Sequence, residues 1–191
     1  MSTTLTTATS PLPHNCNLVS NTGSTMDIEY LRRIGVLLYI SQGSRPDITF
    51  AVNYLARFLM GTYVSHWHAL EHLLSYLRRS ANTGTWILPE CKGDAFECYT
   101  NANWGGEGSC STHGFLMLYR GSPISWQSKR QPTVAGSTCQ AEYIALSFAA
   151  KECLWLSNLF ISTIGKHIPK IFSDNKAAIN ISSNTTSRKQ T

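Results

Sequence analysis

Charge is scarce in this chain of 191 residues. Asp, Glu, Lys and Arg make up 14% of it, against roughly a quarter in ordinary soluble domains. So little charge beside 42% hydrophobic residues excludes an intrinsically disordered chain and requires a core. Cys-x-x-Cys pairs are absent too. The six cysteines stand at 16, 91, 98, 110, 139 and 153, and no histidine pair completes a zinc site. This leaves free, mostly buried thiols in a reducing compartment. No run reaches the roughly 18 apolar residues of a membrane span. The opening "MSTTLTTATSPLPHNCNLVSNTGS" lacks the apolar stretch of roughly 7–15 residues that a secretory signal needs. Together these absences predict a protein of the cytoplasm or nucleus with no membrane partner, its residues 1–25 a disordered leader.

What is present falls into two grammars. From Met26, "MDIEYLRRIGVLLYIS" repeats apolar residues at helical spacing through Ile28, Leu31, Ile34, Leu37 and Leu38. In "GSRPDITFAVNYLARFL", Ser44 suits the N-cap or the position before it, Pro46 the first turn, and Asp47 the positive end of the helix dipole. "VSHWHALEHLLSYLRRS" places Trp67, Leu70, Leu73, Leu74 and Leu77 on one helical face, with Arg78 and Arg79 at its end. "TGTWILPE" reads as a short strand stopped by Pro89. From about residue 95 the pattern changes to three strand-like runs, "AFECYTNANW", "HGFLMLYRG" and "PISWQSKR", close enough for an antiparallel meander. A long helix follows, capped by Ser137 or Thr138 and ended by Gly165, then a fourth strand in "IPKIFSDN" and a short helix in "KAAINISSN". The expected class is α/β, with a mainly helical segment over 26–90, a strand-rich domain over 95–184 and a flexible tail over 185–191.

Within "CYTNANWGGEG", residues 98–108, a strand ends in Asn101-Ala102-Asn103 before a glycine-rich turn. Aspartates there would suggest a metal site; asparagines do not. Taken singly, Glu142 is a solvated acid in an early helical turn, Asp174 a helix N-cap, and Asn103 a turn former. The tryptophans at 67, 104, 126 and 155 read as core or rim packing. His66 and His68 sit two apart on different helix faces, which argues against a metal pair.

Five phrases in order carry a resemblance: "GSRPDITFAVNYLARF", "HWHALEHLLSYLRRSANTG", "NANWGGEGSCSTHGFLMLYRGSPISWQSKRQ", "STCQAEYIALSFAAKECLWL" and "FSDNKAAI". They resemble the end of the polymerase polyprotein of copia-type retrotransposons, where the tail of a reverse transcriptase runs into a ribonuclease H domain. The resemblance implies a truncated ribonuclease H-like fold over 95–184 and a reverse transcriptase remnant over 26–90. It also implies a two-metal site in which four carboxylates hold two Mg²⁺ ions against an RNA–DNA hybrid. The family's first-strand aspartate matches Asn101, its helix glutamate Glu142 and its fourth-strand aspartate Asp174; its fourth acid falls downstream of this segment.

The reading is therefore of a catalytically inactive, degenerate ribonuclease H-like protein. It needs no cofactor and makes at most weak, non-specific nucleic-acid contact through Arg78, Arg79, Lys129 and Arg130. Two alternatives stay open. One is a residual hybrid nuclease using Mg²⁺ on Glu142 and Asp174. The other is a secreted effector of the RxLR type, derived from a copia-like fragment, delivered to a host cell and acting on a host protein.

Overall fold

A computed structural model describes residues 8–19, 26–84, 96–105, 109–165 and 168–183. The chain divides into two compact units, Met1–Thr85 and Trp86–Thr191.

In the first unit, α1 (Ile28–Gly43) buries Tyr30, Ile34, Leu37 and Ser41, a stripe at three- and four-residue spacing. Of the apolar residues that define the sequence periodicity, Ile28 stays 76% exposed, because Tyr30 takes the inward position. Asp27 caps this helix, accepting from the N–H groups of Glu29 at 3.0 Å and Tyr30 at 3.2 Å. Its other carboxylate oxygen accepts from Trp67 Nε1 at 3.0 Å, so one acid both starts α1 and ties it to α3 (Val64–Arg79). Trp67 also meets Tyr30 edge-on at 5.5 Å.

The single helix expected after Ser44 is instead a 3-10 turn at Pro46–Ile48, then α2 (Thr49–Leu55), then a second 3-10 turn at Ala56–Phe58. Ser44 ends α1, and Arg45 is the residue before the first turn. Asp47 is held by the Arg45 guanidinium through two bonds of 2.8 and 2.7 Å, and by Tyr76 at 2.9 Å. Arg45 continues to Ser80 Oγ at 2.7 Å. The "SRPD" phrase thus clamps the start of α2 to the end of α3.

Residues 8–19 depart from the disordered leader expected over 1–25. Leu12, Cys16 and Leu18 pack against the helical core. The Tyr54 hydroxyl accepts from Leu18 N–H at 3.0 Å and donates to the Cys16 carbonyl at 3.2 Å. His66 Nδ1 accepts from Tyr63 N–H at 2.8 Å, which leaves Nε2 to donate to the Val19 carbonyl at 3.1 Å. Both ring nitrogens are engaged, and burial pushes the imidazole pKa down.

The second unit is α/β. Strands β1 (Phe96–Asn103), β2 (Thr112–Tyr119) and β3 (Ser122–Arg130) form the antiparallel meander, and β4 (Lys170–Phe172) joins β1 in parallel. The order β3-β2-β1-β4 makes a mixed four-stranded sheet. Arg120 and Gly121, with φ of 49° and 78°, make the tight two-residue β2–β3 connection. Period-2 alternation turns Phe96, Cys98, Phe115 and Met117 toward Ala149, Cys153 and Leu156 of α4 (Thr138–Ile164). Ser137 caps α4 through Gln140 N–H at 3.1 Å, and Gly165 closes it with φ of 83°. Helix α5 (Lys176–Ser183) follows β4.

Over Thr138–Thr163, α4 is long and apolar enough to cross a membrane by length and composition. Glu142, Lys151, Glu152 and Asn158 break it into shorter apolar runs. In this fold one side of it lies on the sheet. Most of the strand expected over 83–90 and the tail over 185–191 fall outside the described residues.

Tyr54→Phe removes the hydroxyl that pins residues 8–19. We expect limited proteolysis to cut that segment several-fold faster while helical circular dichroism is unchanged, a loss of about 1 kcal/mol of local stability. Unchanged protection would mean that apolar contact alone holds the segment.

Candidate functional site

The parallel β1–β4 pair ends unevenly. Strand β4 matches β1 only over Glu97, Cys98 and Tyr99, so Asn101, Ala102 and Asn103 extend past it. In open α/β sheets, the crevice beyond the carboxyl ends of parallel strands is where ligands bind. Here the chain brings three elements together. Asn101 is exposed on β1 opposite Gly114. Ala102 N–H donates to Glu142 Oε1, from α4, at 3.0 Å. Asp174 follows β4 by two residues and is close enough to act on the Glu142 carboxyl through its charge.

Glu142 is not the solvated acid that its position in the helix suggests. It is 6% exposed, and its Oε2 is buried without a hydrogen-bond partner. Burial raises its pKa, the Ala102 N–H opposes that, and the Asp174 charge adds to it. Asp174 is not the cap of α5 either. Asn175 Oδ1 accepts from Ala178 N–H at 2.9 Å and takes that role, which leaves the Asp174 carboxylate exposed at the site.

The surrounding loops are fixed by side-chain hydrogen bonds to the backbone. Trp104 Nε1 donates to the Ala135 carbonyl at 3.0 Å. Gln131 Nε2 donates to the Ala141 carbonyl at 2.8 Å, one residue before Glu142. Gly105 N–H donates to Ser111 Oγ at 3.3 Å, and a Cβ at Gly105 would meet the Cys110 carbonyl oxygen at 2.8 Å. His113, opposite Ala102 in register, is 1% exposed and stacks on Phe148 at 4.3 Å; burial pushes its pKa down. The alternation with Phe115 and Met117 carries the signal for His113, since it falls on the same buried face.

The four basic candidates divide between the units. Arg78 and Arg79 are exposed at the end of α3 in the first. Lys129 and Arg130 are exposed at the end of β3 in the second, in register with His113 and Thr112. They lie at the same sheet end as Asn101, two strands or roughly 10 Å across.

Among the described residues, no three His, Cys, Asp or Glu side chains are placed to share a metal ion. Two Mg²⁺ ions held close together require several anionic oxygens. The donors present at this crevice do not fit such a pair: one neutral amide, one exposed carboxylate, and one buried carboxyl with an oxygen already committed to Ala102.

No family model matches the chain. It is 35% identical over 171 residues to the retrovirus-related Pol polyprotein from transposon TNT 1-94 of Nicotiana tabacum, covering 87% of this chain and 13% of that protein. It is 33% identical over 187 residues to the retrovirus-related Pol polyprotein from transposon RE1 of Arabidopsis thaliana, covering 94% and 12%. The chain thus spans about an eighth of these polyproteins. A third relative is the secreted RxLR effector protein 161 of Plasmopara viticola, 36% identical over 135 residues, with 69% of this chain and 93% of that protein covered.

Glu142→Gln keeps an acceptor for Ala102 N–H and removes the charge. A folded pKa raised above the unfolded value gives stability that is present at low pH and lost as pH rises through the folded pKa. We therefore expect the Gln variant to melt higher than wild type at pH 7–8, with the gap closing toward pH 4. A gap that does not change with pH would show that Glu142 is charged without penalty.

Proposed function

Given that this chain belongs to the family of Pol polyproteins from copia-type retrotransposons, we propose that it is a catalytically inactive product of that ancestry. In this reading its second unit is a ribonuclease H-like domain that keeps at most weak, sequence-independent contact with nucleic acid. One observation carries the proposal: Asn101 is neutral at the strand end whose next residue, Ala102, binds the Glu142 carboxyl. An amide oxygen supplies a dipole but no net charge to hold divalent ions or to lower the pKa of a water between them. Glu142, with burial favouring its neutral form, is a poor replacement.

The test is hydrolysis of an RNA–DNA hybrid with Mg²⁺ or Mn²⁺, by the wild type and by Asn101→Asp. We expect no turnover from the wild type. The variant regains no robust cleavage, because it adds only a third carboxylate to a buried acid and an exposed one. Wild-type turnover of roughly 1 per second or faster would overturn the proposal in favour of a nuclease acting through Glu142 and Asp174.

Contact with nucleic acid would run through phosphates and the side chains of Arg78, Arg79, Lys129 and Arg130. Four such contacts give a Kd on the order of 10⁻⁴–10⁻⁶ M at physiological salt. Each pair, two contacts on its own unit, should lose roughly tenfold in affinity between 50 and 200 mM salt. Fluorescence anisotropy with duplexes of unrelated sequence measures both; tight or sequence-selective binding would contradict this origin of affinity.

A second reading has its own support. The relative named as a secreted RxLR effector matches along 93% of its length. In addition, α4 carries an exposed apolar flank of Leu154, Trp155 and Leu159, at 64%, 56% and 52% exposure, the kind of surface that binds protein. A host protein held there would survive high salt in a pull-down, whereas phosphate contacts would not. A single partner retained at high salt, and lost with Leu154→Glu, would favour this reading over the first.

A further inference from the structure

The core of the second unit contains a pair of thiols that neither functional reading uses. Cys98 lies on the buried face of β1 and is 0% exposed; Cys153 lies on the sheet-facing side of α4 and is 4% exposed. Both sulfurs belong to one core cluster across the β1–α4 junction, and each thiol acts on the protonation of the other. Cysteine packs well as a small apolar side chain, and two unrelated cysteines in one core need not interact. These do, across the junction between the strand that bears Asn101 and the helix that bears Glu142.

We propose that Cys98 and Cys153 are a redox modification site, joined by a disulfide when the chain folds in the presence of a small-molecule disulfide oxidant. With the core open either thiolate can begin the exchange, and the steps are the same from Cys153 or from Cys98. The Cys153 thiolate attacks the oxidant R–S–S–R, forming a mixed disulfide and expelling one R–S⁻. Cys98, losing its proton to that leaving thiolate, attacks the Cys153 sulfur of the mixed disulfide. The Cys98–Cys153 bond forms and the second R–S⁻ leaves, taking up a proton. The protein dithiol gives up two electrons and the oxidant becomes two thiols. Both sulfurs are closed to solvent in the folded chain, so the exchange proceeds while the core is open. The bond is then shielded from reductant once the core shuts. It closes a loop of about fifty residues and staples β1 to α4.

The full chain is refolded in oxidised glutathione, its remaining thiols are alkylated, and it is mapped by mass spectrometry without reduction. We expect a loss of two hydrogens, a cross-linked pair of peptides holding Cys98 and Cys153, and a melting temperature roughly 5–15 °C above that of the reduced chain. Native protein given the same oxidant should cross-link much more slowly, and faster in mild denaturant. Cys98→Ser and Cys153→Ser should each abolish the cross-link. Should either variant fail to fold, the wild-type map alone decides the matter. Free thiols at 98 and 153 in oxidatively refolded chain, or pairing of either with Cys16, Cys91, Cys110 or Cys139, would overturn the proposal.

Discussion

The hydrogen bond from Ala102 N–H to Glu142 Oε1 is the contact on which this sheet end depends. It fixes the second turn of α4 against the overhanging end of β1. The neighbouring bonds act on the same junction: Gln131 to the Ala141 carbonyl, Trp104 to the Ala135 carbonyl, Ser137 capping the helix, and Gln140 Oε1 accepting from Gly136 N–H at 2.8 Å. Almost all of these are neutral bonds between side chain and backbone. None needs an ion, so the seat of Glu142 against the strand end persists on packing and capping alone. A crevice built this way would keep its geometry without the charges that the resemblance implies, and shape alone is therefore a poor witness to activity. The chemistry has to be read from the donor atoms.

Much of the fold was legible because it rests on periodic burial. The β1–β3 meander follows from alternating residues such as Phe96, Cys98, Phe115 and Met117, and α3 follows from Leu70 and Leu73. Three features were not legible, for different reasons. Residues 8–19 pack through isolated apolar residues and through backbone carbonyls that bind Tyr54 and His66, and neither leaves a periodic mark. The start of α5 turned on whether Asp174 or Asn175 was the cap, two residue types with nearly equal preference for that position. The choice matters because the one not used is left at the site. The burial of Glu142 is a tertiary fact: an acid five positions into a helix is ordinarily solvated, and only the strand end packed over this one removes water from it. The grouping of Asn101, Glu142 and Asp174 came from resemblance to a family pattern, not from any local signal.

The electrostatics of the crevice suggest why asparagine is tolerable at 101. Glu142 already feels both desolvation and the Asp174 carboxylate. A third carboxylate on the strand that meets Glu142, with no cation between, would add like charge near a buried acid. At an effective dielectric of about 20, each such neighbour acts with a few kcal/mol at contact distance, and less as water intervenes. An active two-ion site tolerates that repulsion because the ions more than compensate for it; a chain released from catalysis has no such compensation. Replacing one carboxylate by an isosteric amide keeps the volume and hydrogen-bonding capacity of the side chain and removes the repulsion. Destabilised active sites commonly gain stability when a functional charge is lost. On this argument asparagine at 101 spares Glu142 a further like charge, so selection for folding alone would keep it.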